Sequence, residues 1–206
     1  MTAPIPLNLA VEDTLTEALF VKIFDSIPTE YAIRTVYNRG GNGYLKQNVN
    51  GFNNAAKGIP FLLGTDLDTY DCPPDLIDDW LSHPKHHNLL IRVAVREVEA
   101  WVLADKQNLA GFLRIQAALI PDDVEAIPNP KQRLVELARR SRSREMREDL
   151  CPPANSTRKV GPNYNARMTA FVLQHWNLAS ARQHAPSLAR AVDRLINFDP
   201  VYPAIN

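Results

Sequence analysis

The chain has 206 residues, enough for one well-packed domain with an appendage and too few for two full domains. Apolar residues make up 45% of the chain and charged residues 22%, which is an ordinary globular composition and excludes a disordered or fibrous protein. Lys and Arg together number 23, as do Asp and Glu, so the net charge is zero and any nucleic-acid binding must come from local patches.

The first half of the chain alternates four times between an apolar strand pattern and a helical pattern. Strands are predicted at residues 7–11, 32–37, 59–65 and 89–95. Helices are predicted from residue 14 onward and at residues 44–57, 73–81 and 98–112, with an interruption near Asp105. The strands are continuously apolar rather than alternating, so the sequence predicts an α/β fold with a mostly parallel sheet of about four strands and helices on both faces.

Beyond residue 115 the pattern changes to proline-rich loops between helical stretches. A basic helix is predicted at residues 131–147, and further helices at residues 166–176 and 188–196. The arginines of the basic stretch could follow a nucleic-acid backbone, but interleaved glutamates favour a solvated helix face. We assign residues 5–115 to the α/β domain and residues 116–206 to a helical extension packed on the same core.

The cysteines and the N-terminal sequence indicate where the protein is expected to act. Cys72 and Cys151 are far apart and form no metal-binding or disulfide pattern, which suits a reducing cytosol. The N-terminus lacks the features of a secretory signal, and no apolar run approaches the ~20 residues that a membrane span requires. We expect a soluble, cytoplasmic protein that does not contact a membrane.

Acidic residues directly follow three of the four predicted strands. Glu12 follows the first strand, and Asp66 and Asp68 follow the third. Glu97 and Glu99 follow the fourth. Ligands of an open parallel sheet bind outside the carboxyl ends of the strands, and crowded carboxylates need a cation to neutralise them. Any one of these acids is typical of a solvated loop, but together they predict a site for Mg²⁺ or Mn²⁺.

Two groups of cations are candidates for binding a phosphate. Arg39 and Lys46 flank the glycine-rich segment 40–43, and such a loop can cradle a phosphate. The segment does not match a nucleotide-binding P-loop, and a turn with solvated bases explains it equally well. Arg158 and Lys159 could bring positive charge to a scissile phosphate, although a surface loop is the simpler interpretation.

Two stretches of the sequence resemble the Toprim family, over roughly residues 5–115. Val11-Glu12 precedes a helix that contains Thr16-Glu17, and an apolar strand leads into Asp66-Leu67-Asp68. This pattern is similar to that of topoisomerases, primases and overcoming-lysogenization-type nucleases. The stretch Val95–Asp105 resembles a Toprim-related group of unknown function that is often found beside AAA-type ATPases in bacteria.

The resemblance implies a Toprim-like three-layer fold and a Mg²⁺-dependent nuclease that cleaves DNA or RNA. In that family the glutamate after the first strand is the general acid/base, a role that falls on Glu12, and the D-x-D pair carries the metal. A weaker similarity near residues 159–164 makes Lys159 a second catalytic candidate. The implied partners are a nucleic acid and an AAA-type ATPase, in phage defence.

Three alternatives remain open. A non-catalytic Toprim-like adaptor that binds an ATPase is favoured by the zero net charge and by Asp13, where Toprim proteins commonly have glycine. Haloacid-dehalogenase phosphatases also use D-x-D, but they need Thr or Val where Tyr70 stands and place the motif after the first strand. Nucleotide-sugar glycosyltransferases usually need a longer chain. The C-terminal helices could also supply a homodimer interface.

Overall fold

Residues 3–38 and 40–202 are described by the structure, which is a computed structural model. They form two compact units. The first unit contains the described residues up to Ala94 and those from Arg190 onward, and the second contains Val95–Ala189. The boundary expected near residue 115 lies inside the second unit.

The first unit is built on a sheet whose described strands are all parallel. They are β1 (Ile5–Val11), β2 (Tyr31–Tyr37), β3 (Phe61–Asp66) and β4 (Leu89–Ala94). Their order in the sheet is β2-β1-β3-β4. Residues 34–36 of the edge strand β2 are exposed, whereas β1, β3 and the other edge strand, β4, are buried along most of their length. The predicted α/β class and parallel sheet are thereby confirmed.

Three helices follow the first three strands of this unit, namely α1 (Thr14–Phe24), α2 (Gly41–Ala55) and α3 (Pro73–Trp80). α2 begins three residues earlier than the sequence pattern indicates. The difference arises at Gly40 and Gly41, whose φ angles of 108° and 72° lie in the left-handed region that favours glycine. These two residues let the chain turn sharply from β2 into the helix.

The packing of β3 shows which helix covers which face of the sheet. A side-chain carbon added to Gly64 would overlap the ring of Phe20, so this face of β3 contacts α1. Phe61 lies three positions earlier and stacks on Phe52 of α2, with ring centroids 5.3 Å apart. Side chains at odd separations along a strand point to opposite faces. α1 and α2 therefore cover opposite faces of the sheet and form a three-layer arrangement.

The second unit is helical over its described residues. Its α-helices are α4 (Glu99–Ala104), α5 (Lys106–Leu113), α6 (Pro130–Arg139), α7 (Arg144–Leu150), α8 (Tyr164–Gln174) and α9 (Leu178–Ala181). A 3₁₀ turn covers Ala117–Leu119. The core of this unit contains Trp101 and Trp176, and the indole N–H of Trp176 donates to the carbonyl of Trp101 over 3.0 Å.

Two predictions about these helices have different outcomes. The interruption near Asp105 is confirmed, because α4 ends at Ala104 and α5 begins at Lys106. The carboxylate of Asp105 accepts a hydrogen bond from the side chain of Asn108 at 2.8 Å and another from the backbone N–H of Asn177 at 2.7 Å. The continuous basic helix at residues 131–147 is wrong, because α6 ends at Arg139 and α7 begins at Arg144. The hydroxyl of Ser143 caps the second of these helices.

The last helix, α10 (Pro186–Ile196), joins the first unit from Arg190 onward. The hydroxyl of Tyr31 donates to the carbonyl of Leu195 over 2.6 Å, and the hydroxyl of Thr29 donates to the carbonyl of Ile196 over 2.9 Å. Among the described helices, none has the length and apolar character needed to cross a bilayer.

Candidate functional site

The carboxyl edge between β1 and β3 is where the topology of the sheet opens a crevice. The chain leaves β1 toward β2 on one side and leaves β3 toward β4 on the other. In open parallel sheets this reversal of direction is the place where ligands bind. Glu12 directly follows β1 and Asp66 ends β3, so two of the predicted acids flank this crevice.

Glu12 is fixed across the crevice by groups from the neighbouring strand. Its Oε1 accepts a hydrogen bond from the hydroxyl of Thr65 and another, of 2.9 Å, from the backbone N–H of Asp66. Thr65 is only 2% exposed, so its hydroxyl has little access to water. Both hydrogen bonds end on the same oxygen, and Oε2 forms none with the described residues.

The surroundings of Glu12 raise the pKa of its carboxyl group. Burial is the largest cause, and the hydrogen bonds from Thr65 and Asp66 oppose it by lowering the pKa. The negative charges of Asp68 and Asp13 raise the pKa further. A half-buried carboxyl that holds its proton more tightly than an ordinary glutamate, at a strand end, is suited to general acid/base chemistry.

Asp68 takes a conformation that the strand pattern does not predict. The backbone N–H of Leu67 still donates to the carbonyl of Ala94 over 2.9 Å, so pairing with β4 continues one residue past Asp66. Asp68 then turns into the left-handed region, with a φ of 50°. Its carboxylate accepts from the side-chain amide of Asn42 over 2.8 Å. The expectation that residues 66 and 68 share a face required an extended chain, and the chain is not extended at Asp68.

The carboxylates at this edge are chemically suited to contribute to a magnesium site. Among the residues that the structure describes, no group of three or more Asp, Glu, His or Cys side chains is arranged to hold a metal ion. Mg²⁺ does not require such a group, because it is usually held by one or two carboxylates and completes its octahedron with water and substrate phosphate. A cation would also relieve the repulsion that Asp68 and Asp13 exert on Glu12. Glu12, Asp66 and Asp68 are therefore suitable residues for such a site.

Asp13, which stands where Toprim proteins commonly have glycine, has a structural role in this chain. It is the N-cap of α1, and its Oδ1 accepts from the backbone N–H of Thr16 at 2.9 Å and from the hydroxyl of Thr16 at 2.8 Å. An N-cap aspartate of this kind typically stabilises a helix by about 1 kcal/mol. Asp13 thus fixes the start of the helix that follows Glu12.

Glu97 and Glu99 belong to the second unit, where both carboxylates contact the start of α6 or the core. Oε2 of Glu97 accepts from the backbone N–H of Lys131 over 2.7 Å. Glu99 is 1% exposed, and its Oε1 lies 3.2 Å from the ammonium of Lys131 and accepts from the hydroxyl of Tyr164 at 3.2 Å. Coordination of a metal by Glu99 would have to displace this ammonium. Both residues remain predicted metal ligands, and in the structure their carboxylates bind Lys131 and, for Glu99, also Tyr164.

The predicted substrate-binding cations lie in different surroundings. Arg39 lies outside the described residues. Lys46 is on α2 and forms an ion pair of 2.6 Å with Asp79, so a phosphate would compete with that carboxylate. Arg158 and Lys159 are exposed in the loop between α7 and α8 of the second unit. Their roles stay predictions.

Sequence reasoning missed two polar residues at this edge. Thr65 is the donor that fixes Glu12, and its signal was a hydroxyl residue at the end of an apolar strand, directly before Asp66. Asn42 lies in the glycine-rich segment that suggested a phosphate cradle, but its side chain binds Asp68. No local pattern could reveal this partner, because the two residues are far apart in sequence.

Comparison with known proteins identified no relative. No family model matches the chain, and no curated protein and no solved structure matches it significantly. The resemblance to Toprim proteins therefore rests on the sequence motifs quoted above.

Proposed function

We propose that this protein is a Mg²⁺-dependent phosphodiester hydrolase that cleaves DNA or RNA at the carboxyl edge of the sheet. The observation that carries the proposal is the half-buried carboxyl of Glu12, whose raised pKa reflects burial and the nearby charges of Asp68 and Asp13. It stands at the crevice where parallel sheets bind their ligands, next to Asp66 at the end of β3. The Toprim-like motifs support the same assignment.

The residues of this edge divide between proton transfer and binding. Oε1 of Glu12 is occupied by two hydrogen bonds, so we assign proton transfer to Oε2. In its ionised form this oxygen accepts a proton from an attacking water, and in its protonated form it donates one to the leaving oxygen. Asp66 and Asp68 would hold the metal. When bound, Mg²⁺ supplies orientation of the phosphate and stabilisation of its developing charge.

The wider proposal concerns partners and location. The substrate is a nucleic acid, with Arg39, Lys46 and Arg158 as predicted contacts and Lys159 as a second catalytic candidate. The protein would act in the cytoplasm with an AAA-type ATPase, in phage defence, and the helices of its C-terminal part would provide a homodimer interface. These points rest on the sequence resemblance and on the patterns given above.

Cleavage assays on single-stranded DNA, double-stranded DNA and RNA test the proposal directly. With Mg²⁺ or Mn²⁺ we expect cleavage by the wild-type protein, and a loss of about 100-fold or more in Glu12→Gln, as is typical when a general acid/base is removed. The matched control is Asp78→Asn, an exposed acid on α3 of the same unit. Cleavage that persists in EDTA, or equally in Glu12→Gln, would contradict the proposal.

An adaptor that binds a partner ATPase without catalysis is the second candidate. It is favoured by the zero net charge of the chain and by Asp13, which stands where Toprim proteins commonly have glycine. Calorimetric titration with Mn²⁺ separates the two. Binding that disappears in the Asp66→Asn/Asp68→Asn variant supports the hydrolase, whereas no binding with or without an oligonucleotide, together with stable co-purification of an ATPase, supports the adaptor.

A further inference from the structure

Four cationic side chains of the first unit are gathered around β4 and α10. Arg92 lies on β4, Lys85 precedes this strand, and Arg190 and Arg194 lie one turn apart on α10. They are close enough to influence one another, because the charges of Arg194 and Arg190 lower the pKa of Arg92, and those of Arg92 and Arg194 lower the pKa of Lys85. We call these four residues the basic cluster.

No side chain of the basic cluster forms an ion pair with a carboxylate within the described part of the chain. Lys85 donates to the backbone carbonyl of Leu89 over 2.9 Å, and the guanidinium of Arg194 lies 5.6 Å from the centre of the Phe198 ring. The cluster therefore carries four formal positive charges, and the two contacts just described are made to uncharged groups.

Of the four residues, Arg92 has the position that is least favourable for the stability of the folded protein. Its Nε is enclosed and has no hydrogen-bond partner among the described residues, and its Nη atoms form no hydrogen bond there either. Burial, followed by the positive charges of Arg194 and Arg190, lowers the pKa of Arg92 to about 10. The side chain is still charged at neutral pH. An apolar side chain of similar volume would avoid both the desolvation and the repulsion.

We propose that the basic cluster is a binding site for a phosphate group. Guanidinium groups bind phosphate through paired N–H donors, and the two Nη atoms of Arg92 form no hydrogen bond with the described residues. Several neighbouring cations suit the anionic oxygens of a phosphate, which a free phosphate and a nucleic-acid backbone share. The site goes beyond the proposed hydrolase, because it uses none of the acids of the carboxyl edge and needs no metal.

The test measures binding of inorganic pyrophosphate by calorimetry and of a labelled single-stranded oligonucleotide by fluorescence anisotropy, both in EDTA. We expect Arg92→Met and Arg194→Met to weaken binding by about tenfold or more, which corresponds to the loss of a charge-assisted hydrogen bond. The control is Arg34→Met, which removes an exposed arginine from β2 and should leave binding unchanged. Neither measurement requires metal or cleavage, so a failure of the hydrolase proposal would not affect this result.

The two probes distinguish the source of the phosphate. Binding of pyrophosphate that depends on Arg92 indicates a free phosphate or nucleotide ligand, whereas binding of the oligonucleotide alone indicates a nucleic-acid backbone. Either result supports the site. Absence of binding to both probes, or equal binding by Arg92→Met and the wild type, overturns it. A melting temperature of unliganded Arg92→Met far below that of the wild type would also overturn it, since Arg92 would then support the fold.

Discussion

Replacing Thr65 with valine tests whether the hydroxyl of Thr65 controls the ionisation of Glu12. The two side chains have similar shapes, so the change removes the donor to Oε1 of Glu12 and leaves the packing of β3 nearly unchanged. A hydrogen bond to a charged group is worth about 1.5–3 kcal/mol and one to a neutral group about 0.5–1.5 kcal/mol. Thr65→Val should therefore destabilise the protein by about 1 kcal/mol more when Glu12 is ionised than when it is protonated.

The sign follows from the pKa of Glu12. The bond from Thr65 lowers this pKa against the effect of burial, so its loss raises the folded-state pKa further above the ordinary value of 4.5. The extra stability that the wild type gains from the hydroxyl is present when Glu12 is ionised, and it is lost as the pH falls through the folded-state pKa. The difference in unfolding free energy between variant and wild type should thus grow as the pH rises through that value.

Urea unfolding at about pH 4 and about pH 8 measures this difference, since Glu12 is protonated below its raised pKa and ionises as the pH rises through it. Thr65→Ser is the matched control, because it keeps the hydroxyl and loses only a methyl group. Its effect on stability should be nearly the same at both pH values. The reasoning is refuted if Thr65→Val shifts stability equally at both pH values, or if the pH-dependent part persists in a Glu12→Gln background.

Four further substitutions test the packing of each unit. Gly64→Ala should lower the unfolding free energy by about 1–3 kcal/mol, because its methyl group overlaps an aromatic ring of α1, whereas Gly51→Ala in the open surroundings of α2 should raise it by about 0.5–1 kcal/mol. Equal effects in denaturant unfolding would contradict the assignment of the α1 face. In the second unit, Lys131→Met should cost about 2 kcal/mol, because it removes a charged donor beside the buried carboxylate of Glu99. Adding Glu99→Gln should recover part of this loss, and strictly additive losses would show that the two side chains do not interact.

The sheet could be predicted because each strand is marked by residues that are neighbours in the sequence. Continuous apolar runs mark each strand, and the acids that follow two of them in the first unit lie at the carboxyl edge. The conformation of Asp68 was not predictable, because an aspartate in the left-handed region looks no different in sequence from an extended one. The surroundings of Glu99 were equally hidden, since its partners Lys131 and Tyr164 come from distant helices. Local patterns locate elements, but they do not identify partners that are brought together by tertiary packing.

The division of the first unit along the chain has a consequence for synthesis on the ribosome. Its sheet is complete at Ala94, yet the residues that bond to Tyr31 and Asn88 belong to the segment from Arg190 onward. The nascent sheet therefore lacks this segment while all of Val95–Ala189 is translated, and the second unit can fold during that time. During this interval the surface of the first unit against which the segment from Arg190 packs is exposed to solvent. This segment is therefore the last part of the first unit to be added.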